Sequence, residues 1–312
     1  MLVSEIAKKL NYDIVGDDCD VTGISFFDEA SVLDIAVAFN KSEITKTSAK
    51  VALTHSIFLE TDKTLLLCFD DIYSALVKVC EILIDAGIIM DYRLPLNLTK
   101  ADGDFYIGKN VKIGEHAMIY PGVVIGDGVR IGDYCLVEPN VVVGSGVVLE
   151  NEVRIGANSK IGESSFFHSY DRVDGFCHFD GCGIVRVGEK TRIGCNTIIQ
   201  RGTISDTLIG ASCMIGNGVD IGHDVKIGDH CKIVSQTGIA GNVSIKNNVV
   251  IFGQVGIANG VKIGKNVVVQ AKSGVHHAIG DNQVVFGNYG LSFREEMEIF
   301  KKARNYFIKK GR

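Results

Sequence analysis

Histidine is the residue type in this sequence best suited to moving protons near neutral pH, and His223 is the best placed example. Three of the eight histidines, His116, His223 and His230, lie in regular six-residue units, and His223 takes the third position of unit 221–226. We expect that position to project at a corner, where a neutral imidazole could accept a proton from an amine or a hydroxyl group. His223 is therefore a candidate general base. An ordinary surface histidine is the alternative.

The repeat that must position His223 extends over more than half of the chain. Twenty-four hexads between Ile107 and Val269 open with Ile, Val or Leu, and fourteen of them continue with Gly. One hexad is long enough for a short strand and a corner, so the aliphatic side chain points inward and small residues occupy the bend. Three hexads then close one triangular coil of 18 residues. The pattern is typical of a hexapeptide β-helix, which is a parallel β-solenoid.

The 18-residue coil predicts that Gly241 lies directly above His223. Strands in adjacent coils are about 5 Å apart, and a glycine allows its backbone N–H to approach a bound carbonyl oxygen. A base and an oxyanion donor would then stand one coil apart. A metal site is not expected, because His223 and His230 are seven residues apart and no third histidine has matching spacing.

Two interruptions of the hexad frame indicate that segments leave the coil. The first, residues 164–184, is rich in aromatic residues and histidines, and the second spans about residues 201–207. Insertions in a solenoid map to one edge and often to the binding face. We therefore expect the functional site near both segments, with irregular core packing as the alternative reason for each.

Outside the repeat, the sequence predicts two smaller units. The first is an α+β domain at residues 1–98, and the second is a C-terminal helical extension at 291–312, with the β-helix domain between them at 105–275. In the first unit we expect a helix capped by Ser4 and ending at Leu10. The other elements expected there are strands near 35–39, 51–54 and 64–69, a helix over 72–88, and a linker over 91–104. The hexads end at Val269, and the terminal helix is expected over 291–308.

Composition narrows the class of protein. A net charge of −5 argues against nucleic acid as a partner of the whole chain. From Leu291 onward, however, seven basic residues accompany three acidic ones, a net charge of +4. No segment resembles a signal peptide or is apolar enough to span a membrane, so we expect a cytoplasmic protein. The nine cysteines include no C-x-x-C pair and are expected to be reduced.

Several linked motifs resemble the UDP-3-O-acylglucosamine N-acyltransferases of lipid A biosynthesis, within the hexapeptide-repeat acyltransferases. The matching runs, in order, are Arg201-Gly202-Thr203, Asp206-Thr207, Ile209-Gly210, Asn217, Ile221-Gly222-His223, Val225, Ile227-Gly228-Asp229-His230 and Gln236-Thr237-Gly238-Ile239-Ala240-Gly241. The resemblance implies a left-handed β-helix between an N-terminal α+β domain and a C-terminal helix. It also implies a homotrimer that moves a 3-hydroxyacyl group from acyl carrier protein to the amine of a UDP-glucosamine-type sugar.

The resemblance also implies roles for individual residues. By position, the family's base falls on His223, its backbone oxyanion donor on Gly241, and an acceptor contact on Asn217. The further candidates for substrate binding are Asp220, Gln236, Phe39 and Asn40. No cofactor is implied, because the thioester on the carrier's phosphopantetheine arm supplies the driving force. The basic terminal helix would attract the acidic carrier protein.

The chain departs from the family pattern at some of these positions. The family usually reads A-H-N where this chain has Gly222-His223-Asp224, and a second histidine is replaced by Gly260. The uracil-holding pattern F-x-x-N-x-x-Y aligns best with residues 37–43, where Val37 and Glu43 replace both aromatics. An acetyl-CoA-dependent N-acetyltransferase of another nucleotide amino sugar is the rival enzyme, and a non-catalytic scaffold is the rival of another class.

Overall fold

The chain folds into a small N-terminal α+β unit followed by a long rod of short parallel strands. A computed structural model describes residues 1–55, 61–69, 71–91, 98–171, 175–286 and 293–310. The helices in these ranges are α1 (Val3–Leu10), α2 (Lys41–Lys46), α3 (Ile72–Asp85) and α4 (Phe293–Lys310). None of them is both long and apolar enough to cross a membrane.

The N-terminal unit is built around one sheet. Its strands are β1 (Asp13–Val15), β2 (Gly23–Phe26), β3 (Asp34–Val37), β4 (Val51–Thr54) and β5 (Thr64–Leu67), in the order β1-β5-β4-β3-β2. Only the β1 and β5 pair is antiparallel within this sheet. The predicted strands at 35–39, 51–54 and 64–69 correspond to β3, β4 and β5, and the predicted helix over 72–88 is α3.

The predicted cap of the first helix was wrong. Helix α1 begins one residue before Ser4, with Leu2 in the N-cap position and the Glu5 carboxylate accepting the Leu2 N–H at 3.3 Å. Ser4 instead donates from its hydroxyl to Asp18, at 2.5 Å between the two oxygens. The Ser4 hydroxyl is thus bound by a carboxylate 14 residues away instead of capping the helix, and a local capping pattern cannot predict such a contact.

The rod consists of short strands separated by corners. In chain order they are β6 (Thr99–Ala101), β7 (Phe105–Ile107), β8 (Lys112–Ile113), β9 (Met118–Ile119), β10 (Val124–Ile125), β11 (Arg130–Ile131), β12 (Leu136–Val137), β13 (Val142–Val143), β14 (Val148–Leu149), β15 (Arg154–Ile155), β16 (Lys160–Glu163), β17 (Phe167–Asp171), β18 (Gly175–Phe179), β19 (Val185–Val187), β20 (Arg192–Ile193), β21 (Ile198–Gln200), β22 (Thr207–Ile209), β23 (Met214–Ile215), β24 (Asp220–Ile221), β25 (Lys226–Ile227), β26 (Lys232–Ile233), β27 (Gly238–Ile239), β28 (Ser244–Ile245), β29 (Val250–Ile251), β30 (Gly256–Ile257), β31 (Lys262–Ile263), β32 (Val268–Val269), β33 (Gly274–Val275) and β34 (Val284–Val285).

Apart from β17 and β18, these strands form three faces. The first face holds β6, β7, β10, β13, β16, β21, β24, β27, β30 and β33; the second β8, β11, β14, β19, β22, β25, β28 and β31; the third β9, β12, β15, β20, β23, β26, β29, β32 and β34. In nearly every strand the second residue is aliphatic and points inward, and these side chains form one continuous core along the rod. The predicted β-solenoid of hexapeptide repeats is confirmed.

The rod continues beyond the last regular hexad. Strand β33 pairs with β30, and β34 pairs with β32. The prediction that the repeat stops after Val269 was therefore wrong, because the rod extends to β34. After Val275 the frame shifts by two residues, because Ile279 pairs with Ile263 and Val285 with Val269 at a spacing of 16 residues instead of 18.

Both insertions leave the rod at the corner between the first and second faces. The first follows β16 and contains an antiparallel hairpin of β17 and β18, and the second follows β21. In the hairpin, Phe167 and Phe179 lie opposite one another and pack in the same apolar cluster as α3. The hairpin thereby fastens the N-terminal unit to the rod. His223, which follows β24, lies at this same corner.

Candidate active site

His223 and Asp224 form a buried pair. The His223 Nδ1 lies 2.7 Å from Asp224 Oδ2, and the two residues are 8% and 5% exposed. Asp224 adopts the left-handed conformation, with a φ of 57°, at the αL corner position that many units of the rod share. This conformation turns the Asp224 carboxylate back toward the imidazole of the preceding residue.

The second insertion holds the Asp224 carboxylate in place. Its Oδ1 accepts the backbone N–H groups of Thr203 at 3.0 Å and Ser205 at 3.1 Å. A side chain at Gly202 would collide with the Ser205 carbonyl oxygen, so the tight turn of this insertion requires glycine there. The backbone of this insertion therefore fixes the position of the Asp224 carboxylate.

These contacts determine which nitrogen of His223 can act as a base. An ionised carboxylate only accepts hydrogen bonds, so the tautomer with the proton on Nδ1 is the one that satisfies Asp224. Nε2 is then left with a lone pair, and it has no hydrogen-bond partner among the residues that the structure describes. The arrangement can take a proton from a ligand at Nε2 while Asp224 stabilises the resulting imidazolium.

Gly241 lies against His223, as the 18-residue spacing predicts. Strand β24 pairs with β27 so that Ile221 lies beside Ile239. A Cβ atom built on Gly241 would be 2.5 Å from His223 Nε2. Within the described ranges, the Gly241 N–H donates no hydrogen bond. A free N–H beside a free Nε2 can stabilise a negatively charged oxygen and accept a proton at the same place.

We expect Gly241→Ala to slow any reaction that uses His223 Nε2 as a base by about 100-fold, because the added methyl group displaces the imidazole and narrows the approach to the N–H. The check is kcat together with the thermal unfolding midpoint. Gly228→Ala is the matched control, since its methyl would press on Asn247 at a corner away from His223. Equal losses of kcat in both variants would contradict the assignment of Gly241.

An open groove of about 640 Å³ runs along the first face beside His223. Its floor includes Gly238 and Gly256, where a Cβ atom would meet nothing within 4 Å, and Asp220 stands beside the floor on β24. Partial burial raises the pKa of the Asp220 carboxyl. The contacts around these glycines do not require them, and the open space above them leaves room for a ligand to approach the backbone.

A larger cavity, about 880 Å³, lies between the N-terminal unit and the second face. We call it the N-terminal cavity. Aromatic side chains on one wall include Phe39, Tyr73 and Phe167, and the rod contributes Lys226 and two further lysines, Lys246 and Lys262. Asp224 lines this cavity, whereas His223 lines the open groove, and Asn259 lines both. The His223–Asp224 pair therefore stands where the two spaces meet.

The structure places the remaining sequence candidates apart from His223. Asn217 and Gln236 lie at the corner between the third and first faces. The Asn217 side chain accepts the Cys195 N–H at 2.9 Å, and Gln236 accepts from Gln254 at 2.7 Å. Asn40 caps helix α2 by accepting the Glu43 N–H at 3.2 Å. Within a single chain these three side chains serve the fold.

Phe39 does line the N-terminal cavity, and the structure adds an aromatic partner that the sequence did not indicate. Tyr73, on α3, lies 5.5 Å from Phe39 between ring centroids. Thr203 was also missed, although its hydroxyl lies 3.1 Å from His223 Nδ1. The sequence did carry a signal for Asp224, which is an acidic residue directly after the histidine at a corner. It carried none for Tyr73, because α3 is far from His223 in sequence.

Comparison with known proteins agrees with this architecture. The family model of the bacterial transferase hexapeptide (six repeats) matches residues 106–138, 128–163 and 206–241. The chain carries this hexapeptide repeat. It is 43% identical over 132 residues to a UDP-3-O-acylglucosamine N-acyltransferase of Helicobacter pylori, and 42% identical over 89 residues to that of Rickettsia conorii. These alignments cover 42% and 28% of this chain, and only 39% and 25% of the relatives.

Solved structures share the hexapeptide rod. A UDP-N-acetylglucosamine acyltransferase from Bacteroides fragilis matches with a TM-score of 0.54 and 25% identity, over 59% of this chain and 70% of that one. A UDP-N-acetylglucosamine O-acyltransferase from Moraxella catarrhalis matches with a TM-score of 0.53 and 24% identity, over 62% of this chain and 76% of that one. The second likeness concerns the fold alone.

Proposed function

We propose that this protein is an N-acyltransferase that moves an acyl group, a 3-hydroxyacyl group in particular, from acyl carrier protein to the amine of a UDP-glucosamine-type sugar in lipid A biosynthesis. The observation that carries the proposal is the position of the buried His223–Asp224 pair, where the open groove meets the N-terminal cavity and Gly241 offers a free N–H. The similarity to N-acyltransferases supports the same reaction.

The proposed reaction uses His223 as a base and then as an acid. The acceptor amine attacks the thioester carbonyl carbon, and His223 Nε2 takes one proton from the nitrogen. The Gly241 N–H stabilises the negative carbonyl oxygen of the tetrahedral intermediate. When the carbon–sulfur bond breaks, the imidazolium returns the proton to the thiolate, so that an amide and a free thiol are the products. Asp224 keeps its contact with the imidazole Nδ1 and stabilises the imidazolium.

The N-terminal cavity suits a nucleotide sugar. Phe39 and Tyr73 offer ring faces on which a base can stack, and lysines on the rod offer positive charge for a diphosphate. Lys226 contributes least to this charge, because it forms an ion pair with Glu29 of the N-terminal unit and burial lowers the pKa of its amine. In this proposal Tyr73, together with Phe39, serves in place of the aromatics missing from residues 37–43.

The open groove suits the acyl donor. Its glycine floor leads away from His223 toward His276. Helix α4 offers the carrier a basic surface, with Lys301, Lys302 and Arg304 exposed. We also propose that the protein acts as a cytoplasmic homotrimer, in line with the family that it resembles.

The donor is tested by offering purified protein a hydroxyacyl carrier protein or acetyl-CoA, with candidate UDP-amino sugars, and measuring thiol release. We expect turnover with the acylated carrier protein. At low salt, the double variant Lys301→Glu, Lys302→Glu should lose about tenfold in kcat/KM for the carrier, because opposite charges steer the encounter. Thiol release from acetyl-CoA alone would favour the rival N-acetyltransferase and contradict the proposal that acyl carrier protein is the donor. No turnover with any donor would favour a scaffold.

A further inference from the structure

A row of aromatic rings connects the N-terminal cavity to His223. The ring centroids of Phe39 and Tyr73 are 5.5 Å apart, those of Tyr73 and Phe167 5.6 Å, and those of Phe167 and His223 5.7 Å. The Phe167 and imidazole planes meet at 88°. The row therefore passes from the N-terminal unit through the first insertion to the rod.

Phe167 is the member of the row that touches the candidate base. It is 9% exposed and lies beside a histidine that is 8% exposed. The register of the hairpin fixes its direction, because alternate residues face opposite sides: Phe167, Ser169 and Phe179 are buried, whereas Phe166 and Phe176 are exposed. A buried edge contact of this kind limits rotation of both rings.

We propose that Phe167 is a positioning residue, which holds the His223 ring with Nε2 toward Gly241 and makes that orientation respond to what occupies the N-terminal cavity. Asp224 and the Thr203 hydroxyl contact the ring at Nδ1, so their contacts leave it some freedom to rock about that end. Phe167 removes this freedom from the side, and Tyr73 supports Phe167 in turn. A nucleobase stacked on Phe39 and Tyr73 would restrict the motion of these rings, and through Phe167 that of His223, before the acceptor amine reaches His223. The inference rests on the proposed function.

The kinetic test compares Phe167→Leu, Tyr73→Leu and the double variant at saturating acceptor. We expect Phe167→Leu to lower kcat about tenfold with little change in KM for the acyl donor, because misorientation of the base affects the chemical step. The double variant should lose no more kcat than the worse single variant, since both break the same row. Losses that multiply would overturn the coupling.

Phe179→Leu is the matched control. Phe179 lies opposite Phe167 in the hairpin, is 7% exposed and packs in the same cluster. Both substitutions should lower the thermal unfolding midpoint by a similar amount, and only Phe167→Leu should lower kcat. An equal loss of kcat in Phe179→Leu would show that Phe167 serves the fold alone.

A second test needs no turnover. The protein is labelled with ¹³C-histidine, the His223 Cε1–H signal is assigned by its loss in His223→Gln, and UDP is added while its binding is measured by calorimetry. We expect UDP to shift the His223 signal in the unaltered protein and in Phe179→Leu, but not in Phe167→Leu. Binding of UDP without a shift in the unaltered protein would overturn the coupling. Failure of UDP to bind would instead count against the proposed acceptor, and the kinetic comparison would still decide the role of Phe167.

Discussion

Replacement of His223 with Gln is expected to lower kcat for acyl transfer by about 1,000-fold, because His223 is the side chain that lies directly against Gly241, whereas Asp220 and His276 line other parts of the groove. Glutamine preserves much of the volume and polarity of the buried imidazole, so the thermal unfolding midpoint should change little. Thiol release under saturating donor and acceptor is the direct measurement.

His230→Gln is the control for this change. His230 lies at the next corner in a regular unit, with a φ of 57°, and is exposed. Its substitution should leave kcat unaltered. If His223→Gln keeps more than about a tenth of the activity, a proton acceptor other than His223 must be at work.

Asp224→Asn is expected to cost about 100-fold or more in kcat while the fold is retained. The amide oxygen can still accept the Thr203 and Ser205 N–H groups, so its NH₂ group must then face His223 Nδ1. Such a donor favours the tautomer with the proton on Nε2, which cannot act as a base. The decisive comparison is between kcat and the unfolding midpoint of the same variant.

Asp229→Asn supplies the matched control for Asp224. The Asp229 Oδ1 accepts the Ala211 N–H at 2.8 Å at a corner of the same coil, remote from the imidazole. Full activity in Asp229→Asn is expected. Full activity in Asp224→Asn would mean that the carboxylate does not set the tautomer of His223. The asparagine that the N-acyltransferase family usually has at this position would then support the reaction equally well.

The repeating part of the fold could be predicted from sequence because its geometry is local and periodic. A fixed period of six determines which side chains point inward, and three units determine the neighbour in the next coil. The contact between His223 and Gly241 follows from that spacing alone. The frame breaks were equally informative, since both insertions leave at the corner that carries His223.

The parts that were not predicted depend on contacts between segments far apart in sequence. Tyr73 reaches the site because α3 packs against the hairpin, and no pattern near residue 73 indicates this. Ser4 is taken by Asp18 for the same reason. Asp224 was visible as a departure from a familiar motif, but its role required the backbone of the second insertion, which only the folded chain brings within reach.

The shared packing of the first insertion has a consequence for dissecting the molecule. Phe167 and Phe179 from the hairpin, and Ile204 from the second insertion, are buried in the same cluster as Leu76 and Leu83 of α3. A rod produced without the N-terminal unit would expose these side chains to water, at a cost of about 2 kcal/mol for each large apolar group. The two units are therefore not interchangeable modules, and the first 98 residues cannot be exchanged between related proteins on their own. The hairpin would have to travel with them.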